Sequence, residues 1–112
     1  MARTLYRIIR RDVPTVDDFK CAKDLGKPLR DPTLLRQWAE GLSVYDDLDH
    51  AKRRARYYRY RIGRYVVAVQ LDDDSDIEVE RTGSDPHHFT IYGAAEDLLA
   101  LAADPPIRVD QE

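Results

Sequence analysis

Apolar and polar positions along the chain follow two rhythms, one of period two and one of period 3.6. Between Thr4 and Arg10, Leu5, Arg7 and Ile9 fall on one side and Tyr6 and Ile8 on the other. That alternation, rich in β-branched and aromatic residues, predicts a first strand. Pro14 ends it. Thr15 then offers an N-cap with Asp18 three residues on, and Phe19, Ala22 and Leu25 suit one face of a short helix stopped by Gly26. A second helix is punctuated more sharply. Asp31 stands at its N-cap, Pro32 at its first position and Gly41 past its end, with Leu34, Leu35 and Trp38 as an apolar stripe whose tryptophan is expected in the core.

The run Leu42-Ser43-Val44-Tyr45 reads as a short strand, and Asp46 or Asp47 caps a third helix over residues 48–62. There Leu48, Ala51, Ala55, Tyr58 and Ile62 recur at spacings of three and four, with small residues that permit close packing. Gly63 stops this helix. Residues 64–71 form the clearest strand, with Tyr65, Val67, Val69 and Leu71 facing one way, and a central place in the sheet is expected for it. After the Asp-rich loop 72–76, residues 77–81 alternate again and are expected to fold back on 64–71 as an antiparallel hairpin. A strand at 88–92 and a helix at 94–103 follow; Pro105-Pro106 breaks the helix, leaving an edge strand at 107–109 and a frayed tail from about 110. Helices early and strands late predict one α+β domain over residues 1–112, its mainly antiparallel or mixed sheet packed by three to four helices.

Composition agrees with a globular domain: 112 residues, 43% hydrophobic and 35% charged. No apolar run approaches the roughly 18 residues of a membrane span, so no membrane partner is expected. The amino terminus lacks a signal-like stretch and Cys21 is the only cysteine, which points to a cytoplasmic protein without an internal disulfide. Charge is distributed unevenly. Residues 52–64 carry seven bases and no acid, whereas residues 72–85 carry seven acids against Arg81 alone.

Polar groups interrupt the strands at Arg7, at Ser43 and Tyr45, and at Glu78 and Glu80. The Tyr6-Arg7 pair, the Ser43-Val44-Tyr45 strand leading into a helix with Ala51 and Ala55, and Glu78-Val79-Glu80 together resemble the ADP-ribosyltransferase superfamily. The resemblance spans about 75 residues and rests on common residue types. Two features depart from it: Glu80 closes its strand where the family's late glutamate opens one, and the chain is shorter than typical members. It implies a nucleotide- or dinucleotide-binding domain, with NAD as cofactor or substrate, in a bacterial effector or toxin-like protein. Arg7 would then bind a phosphate or ribose, Ser43 would belong to the catalytic group, and Tyr45 would stack on the nicotinamide. Glu80 would hold a ribose hydroxyl and stabilise the positive charge that develops at the anomeric carbon.

A different class of function remains open. The basic helix interleaves its charges with tyrosines, and Arg53, Arg56, Arg59, Tyr57 and Tyr60 form a plausible surface for single-stranded nucleic acid or an acidic protein. A solvated charged face is the plain alternative. The segment 80–90 gathers Arg81, Thr82, His87 and His88, enough for anion binding or proton transfer, but His50, His87 and His88 match no metal-ligand spacing. Glycine-rich phosphate loops and nucleophile elbows are absent. Oligomeric state is not legible, and a structural accessory role is the third possibility.

Overall fold

The computed structural model describes residues 3–110, so the last two residues of the expected tail lie outside the described chain. Six strands, β1 (Arg3–Ile9), β2 (Gly41–Tyr45), β3 (Tyr65–Leu71), β4 (Glu78–Arg81), β5 (His88–Tyr92) and β6 (Ala102–Arg108), form one sheet in the order β4-β5-β2-β1-β3-β6. Every neighbouring pair is antiparallel. Among the described residues three α-helices occur, α1 (Leu35–Glu40), α2 (Leu48–Tyr57) and α3 (Ala95–Ala100), with 3-10 turns at Val16–Phe19 and Pro32–Leu34. The α+β class and the mainly antiparallel sheet are as the periodicity predicts. None of the described helices is long and apolar enough to cross a membrane.

Both faces of the sheet are covered, and the strand alternation explains how. Leu5 and Ile9 of β1 join Leu42, Val44, Val67, Val69 and Ile91 in the larger core, which Phe19 and Leu98 close from the turn Val16–Phe19 and from α3. Ile8 points the other way, into a smaller core with Tyr45, Val66, Val109 and the fully buried Ala51 and Ala55 of α2. Each fully buried Leu, Ile or Val contributes about 1.5–3 kcal/mol relative to exposure. The two alanines let α2 lie close against β1 and β3.

Several expectations are corrected. Strand β4 pairs with β5, not with β3. The reason is occupancy: β3 has β1 on one side and β6 on the other, leaving no free edge. The helix expected after Thr15 is a single 3-10 turn, because Phe19 enters the core and the chain then becomes extended at Lys20. In the second helix Asp31 does cap, accepting from the Thr33 amide, but its stripe is not core. Leu34 and Leu35 are exposed and Trp38 is half-buried, its Nε1 donating to the Lys27 carbonyl. The helix expected over 48–62 ends at Tyr57, where Arg59 and Tyr60 take left-handed φ of 54° and 61° and turn the chain toward β3. Tyr58 and Ile62 are consequently exposed. The last helix is shorter than expected, and β6 accommodates Pro105 and Pro106 because it is an edge strand.

Gly63 marks the tightest point of that return. Its φ is 152°, and a Cβ there would stand 2.1 Å from the Ile9 carbonyl oxygen. Replacing Gly63 by alanine is therefore expected to cost at least about 2 kcal/mol, because the clash is with backbone that β1 holds in place. Urea denaturation of the variant measures it; an unchanged midpoint would show that the Gly63 turn yields freely.

Candidate ligand-binding cleft

Strands β1 and β2 meet at one registered pair, Tyr6 with Tyr45, although β1 runs beside β3 for seven residues and β2 beside β5 for five. Beyond that pair the sheet separates into two halves, and Arg7 occupies the gap. By alternation it lies on the same side as Leu5 and Ile9, yet its guanidinium is turned to polar partners. Nε donates to the Asp18 carbonyl at 3.1 Å and Nη1 to the Ser43 carbonyl at 2.9 Å. Desolvation by burial lowers its pKa to about 10, with Asp18 and Tyr45 acting in the opposite direction. Arg7 is still a cation at neutral pH, and both of its hydrogen bonds go to main-chain carbonyls rather than to a carboxylate.

The gap opens into a cleft of about 710 Å³ whose walls include Arg7, Ser43, Tyr45, Arg54, Asp85 and His88. Its floor has a local explanation in β2, where Ser43 is the one exposed residue among buried neighbours. Tyr45 is buried, and its ring contacts those of His50 and His88 at 5.7 and 5.6 Å. Burial raises the Tyr45 pKa, with Arg54 pulling the other way, so the phenol is neutral at physiological pH.

Helix α2 supplies the opposite wall because Asp47 caps it, accepting from the His50 amide at 2.8 Å. The cap sets the phase of a polar stripe. His50, Arg54 and Tyr58 recur every fourth residue, and such spacing places them on one helix face. His50 Nε2 lies 2.7 Å from Asp85 Oδ2, and the His87 amide donates to Asp85 Oδ1 at 2.9 Å. Arg54 Nη2 donates to the Tyr58 hydroxyl, and its guanidinium carbon lies 4.8 Å from the rings of both Tyr57 and Tyr58. Its Nε is buried without a hydrogen-bond partner among the described residues, 3.8 Å from Asp85 Oδ2. His88 is fixed on the Thr82 side: its Nδ1 lies 2.9 Å from Thr82 Oγ1 and 3.1 Å from the Thr82 carbonyl.

Of the residues singled out from sequence, Arg7, Ser43, Tyr45 and His88 line this cleft and Glu80 does not. Glu80 stands on the edge strand and accepts from the Tyr92 hydroxyl at 2.8 Å. Glu78 takes two hydrogen bonds from Arg36, at 2.9 and 2.7 Å, while Arg36 stacks 4.0 Å from the Tyr92 ring centroid. Glu78 thus fastens α1 to β4, and Glu80 links β4 to Tyr92 of β5. Arg81 donates to the Thr82 and Asp85 carbonyls, and the buried Thr82 meets Thr90 at 2.7 Å, so both shape the turn behind His88. In the basic segment, Arg53, Arg56, Tyr57 and Arg59 are exposed, Arg56 also donating to the Val109 carbonyl, whereas Tyr60 packs under Arg64. Among the described residues no cluster of three or more His, Cys, Asp or Glu is placed to hold a metal ion. Arg54 and Asp85 were not foreseen as cleft residues; the four-residue spacing of His50, Arg54 and Tyr58 was the available signal.

Comparison of the chain with protein-family models, with curated proteins and with solved structures finds no match.

The Asp85 carboxyl lies below its ordinary pKa: burial pushes it up, but the hydrogen bond from His50, the His87 amide and the charge of Arg54 outweigh that. A carboxyl depressed in the folded state stabilises the fold above the unfolded pKa, and that contribution disappears as pH falls through the folded value. Stability should therefore decline with acid below about pH 4. In Asp85→Asn the decline should be shallower. Urea midpoints between pH 3 and 7 for both proteins check this, and parallel profiles would contradict it.

Proposed function

We propose that the cleft binds a nucleotide through its phosphate, with NAD as the first candidate, as the resemblance to ADP-ribosyltransferases implies. One observation carries the reading. Arg7 is a half-buried cation held at the split of the sheet by two main-chain carbonyls, with no carboxylate of a described residue hydrogen-bonded to it. Anions gain most from such a group, because a guanidinium forms charge-assisted and often paired hydrogen bonds with phosphate oxygens. The surroundings suit the rest of a nucleotide. The cleft volume falls in the range of small-molecule sites, Tyr45 gives an aromatic wall, and Ser43 presents a hydroxyl from the floor. Glu80 is engaged by Tyr92 outside the cleft, so the reading is one of binding and gives Glu80 no part in it.

A second reading draws on the exposed Tyr57, at 71% of its full accessibility, beside the exposed Arg53 and Arg59. These could contact a nucleic-acid strand or an acidic protein without using the cleft.

The two readings separate in one experiment. NAD should raise the melting temperature of the wild-type protein in a concentration-dependent way. Arg7→Lys, which keeps the charge but loses the paired donors, should weaken binding about tenfold or more, equivalent to about 1.4 kcal/mol. No shift with NAD or with adenosine monophosphate at millimolar concentration would reject the cleft reading. Binding of a labelled single strand that falls with salt and with Arg53→Ala and Arg59→Ala, yet ignores Arg7→Lys, would favour the second.

A further inference from the structure

We infer that His88 is a hydrogen-bond acceptor for the ligand: its Nε2 is held as the unprotonated ring nitrogen, open to the cleft, where it accepts a hydrogen bond from a ribose hydroxyl. The inference rests on the nucleotide reading and adds the contact that selects a sugar. Its basis is the tautomer. His88 Nδ1 lies 3.1 Å from the Thr82 carbonyl oxygen, which can only accept, so Nδ1 carries the hydrogen. The Thr82 hydroxyl at 2.9 Å then accepts from the same N–H and passes its own proton toward Thr90 Oγ1 at 2.7 Å, which satisfies each group in turn. The reverse tautomer would set a ring lone pair against the carbonyl. Neutral imidazole carries one hydrogen, so Nε2 is left with its lone pair.

Position gives that lone pair a use. The Nε2 edge of the ring is opposite the Thr82 contacts, His88 lines the cleft that contains Arg7, and the Tyr45 ring packs edge-on against the imidazole at 5.6 Å. No hydrogen bond from a described residue reaches Nε2, whereas His50 and His87 are engaged by Asp85 and Asp46. A cation and a neutral acceptor facing one cavity match a ligand with an anion and a hydroxyl, the chemistry of a ribose phosphate. The acceptor sits on β5 and the cation on β1, so the ligand must bridge the split.

The test uses the full chain with ¹⁵N-labelled histidine. A long-range ¹H–¹⁵N spectrum of the free protein should show His88 as the Nδ1–H tautomer, and added NAD should shift its Nε2 resonance. His88→Asn retains a donor for the Thr82 carbonyl but lacks the distal acceptor. It should remain folded, at a melting temperature lowered only by loss of the Tyr45 ring contact, and weaken NAD binding about tenfold. His88→Gln, which restores an amide oxygen near the Nε2 position, should recover part of that loss. An Nε2–H tautomer in the free protein would overturn the inference. So would NAD binding that leaves both the Nε2 signal and the affinity of His88→Asn unchanged, and in that case the nucleotide reading would survive. Absence of NAD binding to the wild-type protein would overturn both.

Discussion

The arrangement of the whole molecule turns on a guanidinium standing where strand alternation asks for an apolar side chain. Leu5 and Ile9 on either side of Arg7 enter the larger core, and a leucine at position 7 would extend it. A cation there must instead find oxygen atoms, since an unpaired buried charge is far more costly than a lost apolar contact. It finds the carbonyls of Asp18 and Ser43. The Ser43 carbonyl is available only because β2 is not laddered to β1 beyond Tyr45. The split of the sheet and the placement of Arg7 are thus one feature seen from two sides: the charge requires the gap, and the gap supplies the carbonyls.

What keeps that gap from collapsing is α2. The helix contacts β1, β2 and β3, so it spans the two halves of the sheet. Ala51 and Ala55 bring it close enough to pack on Ile8 and Val66, while Arg54 and Tyr58 line the cleft. His50 and Arg54 then reach Asp85 in the turn between β4 and β5. Those contacts tie the first turns of the helix to the far half of the sheet. Their strength is modest one by one, yet Asp85 receives His50, the His87 amide and Arg54 together, and a partly buried network of that kind is worth more than isolated surface pairs.

Much of this was legible in the sequence where the governing forces are local. Period-two alternation located β1, β3 and β4, and the caps at Asp31 and at Asp46 or Asp47 were visible because a short acceptor side chain before a helix has few other uses. Local signals failed where the outcome depends on what else is nearby. The periodicity of residues 48–62 continues through Tyr58 and Ile62, but the chain must turn at Arg59 and Tyr60 to bring Gly63 against Ile9. Nothing in residues 77–81 announces that both flanks of β3 are already taken. Glu80 illustrates the same limit at the site. Its residue type suits the chemistry it was assigned, but the Tyr92 hydroxyl reaches it diagonally from β5 and Arg36 of α1 takes Glu78, contacts between residues 12 and 42 positions apart.

The division of the cleft's walls has a mechanical consequence. Arg7 belongs to the half containing β1, β3 and β6, whereas Ser43, Tyr45 and His88 belong to the half containing β2, β5 and β4. A molecule that engages both must cross the split, and each contact it makes resists the separation of the halves. Bridges already present include the Tyr6–Tyr45 pair, the Arg7–Ser43 hydrogen bond, α2 lying across both and the apolar core the halves share. A ligand in the cleft adds to the weakest of these seams rather than to a region already held by a full ladder. Occupancy of the site should therefore be felt most where β1 and β2 part, because that is where the fold itself supplies the fewest hydrogen bonds between the strands.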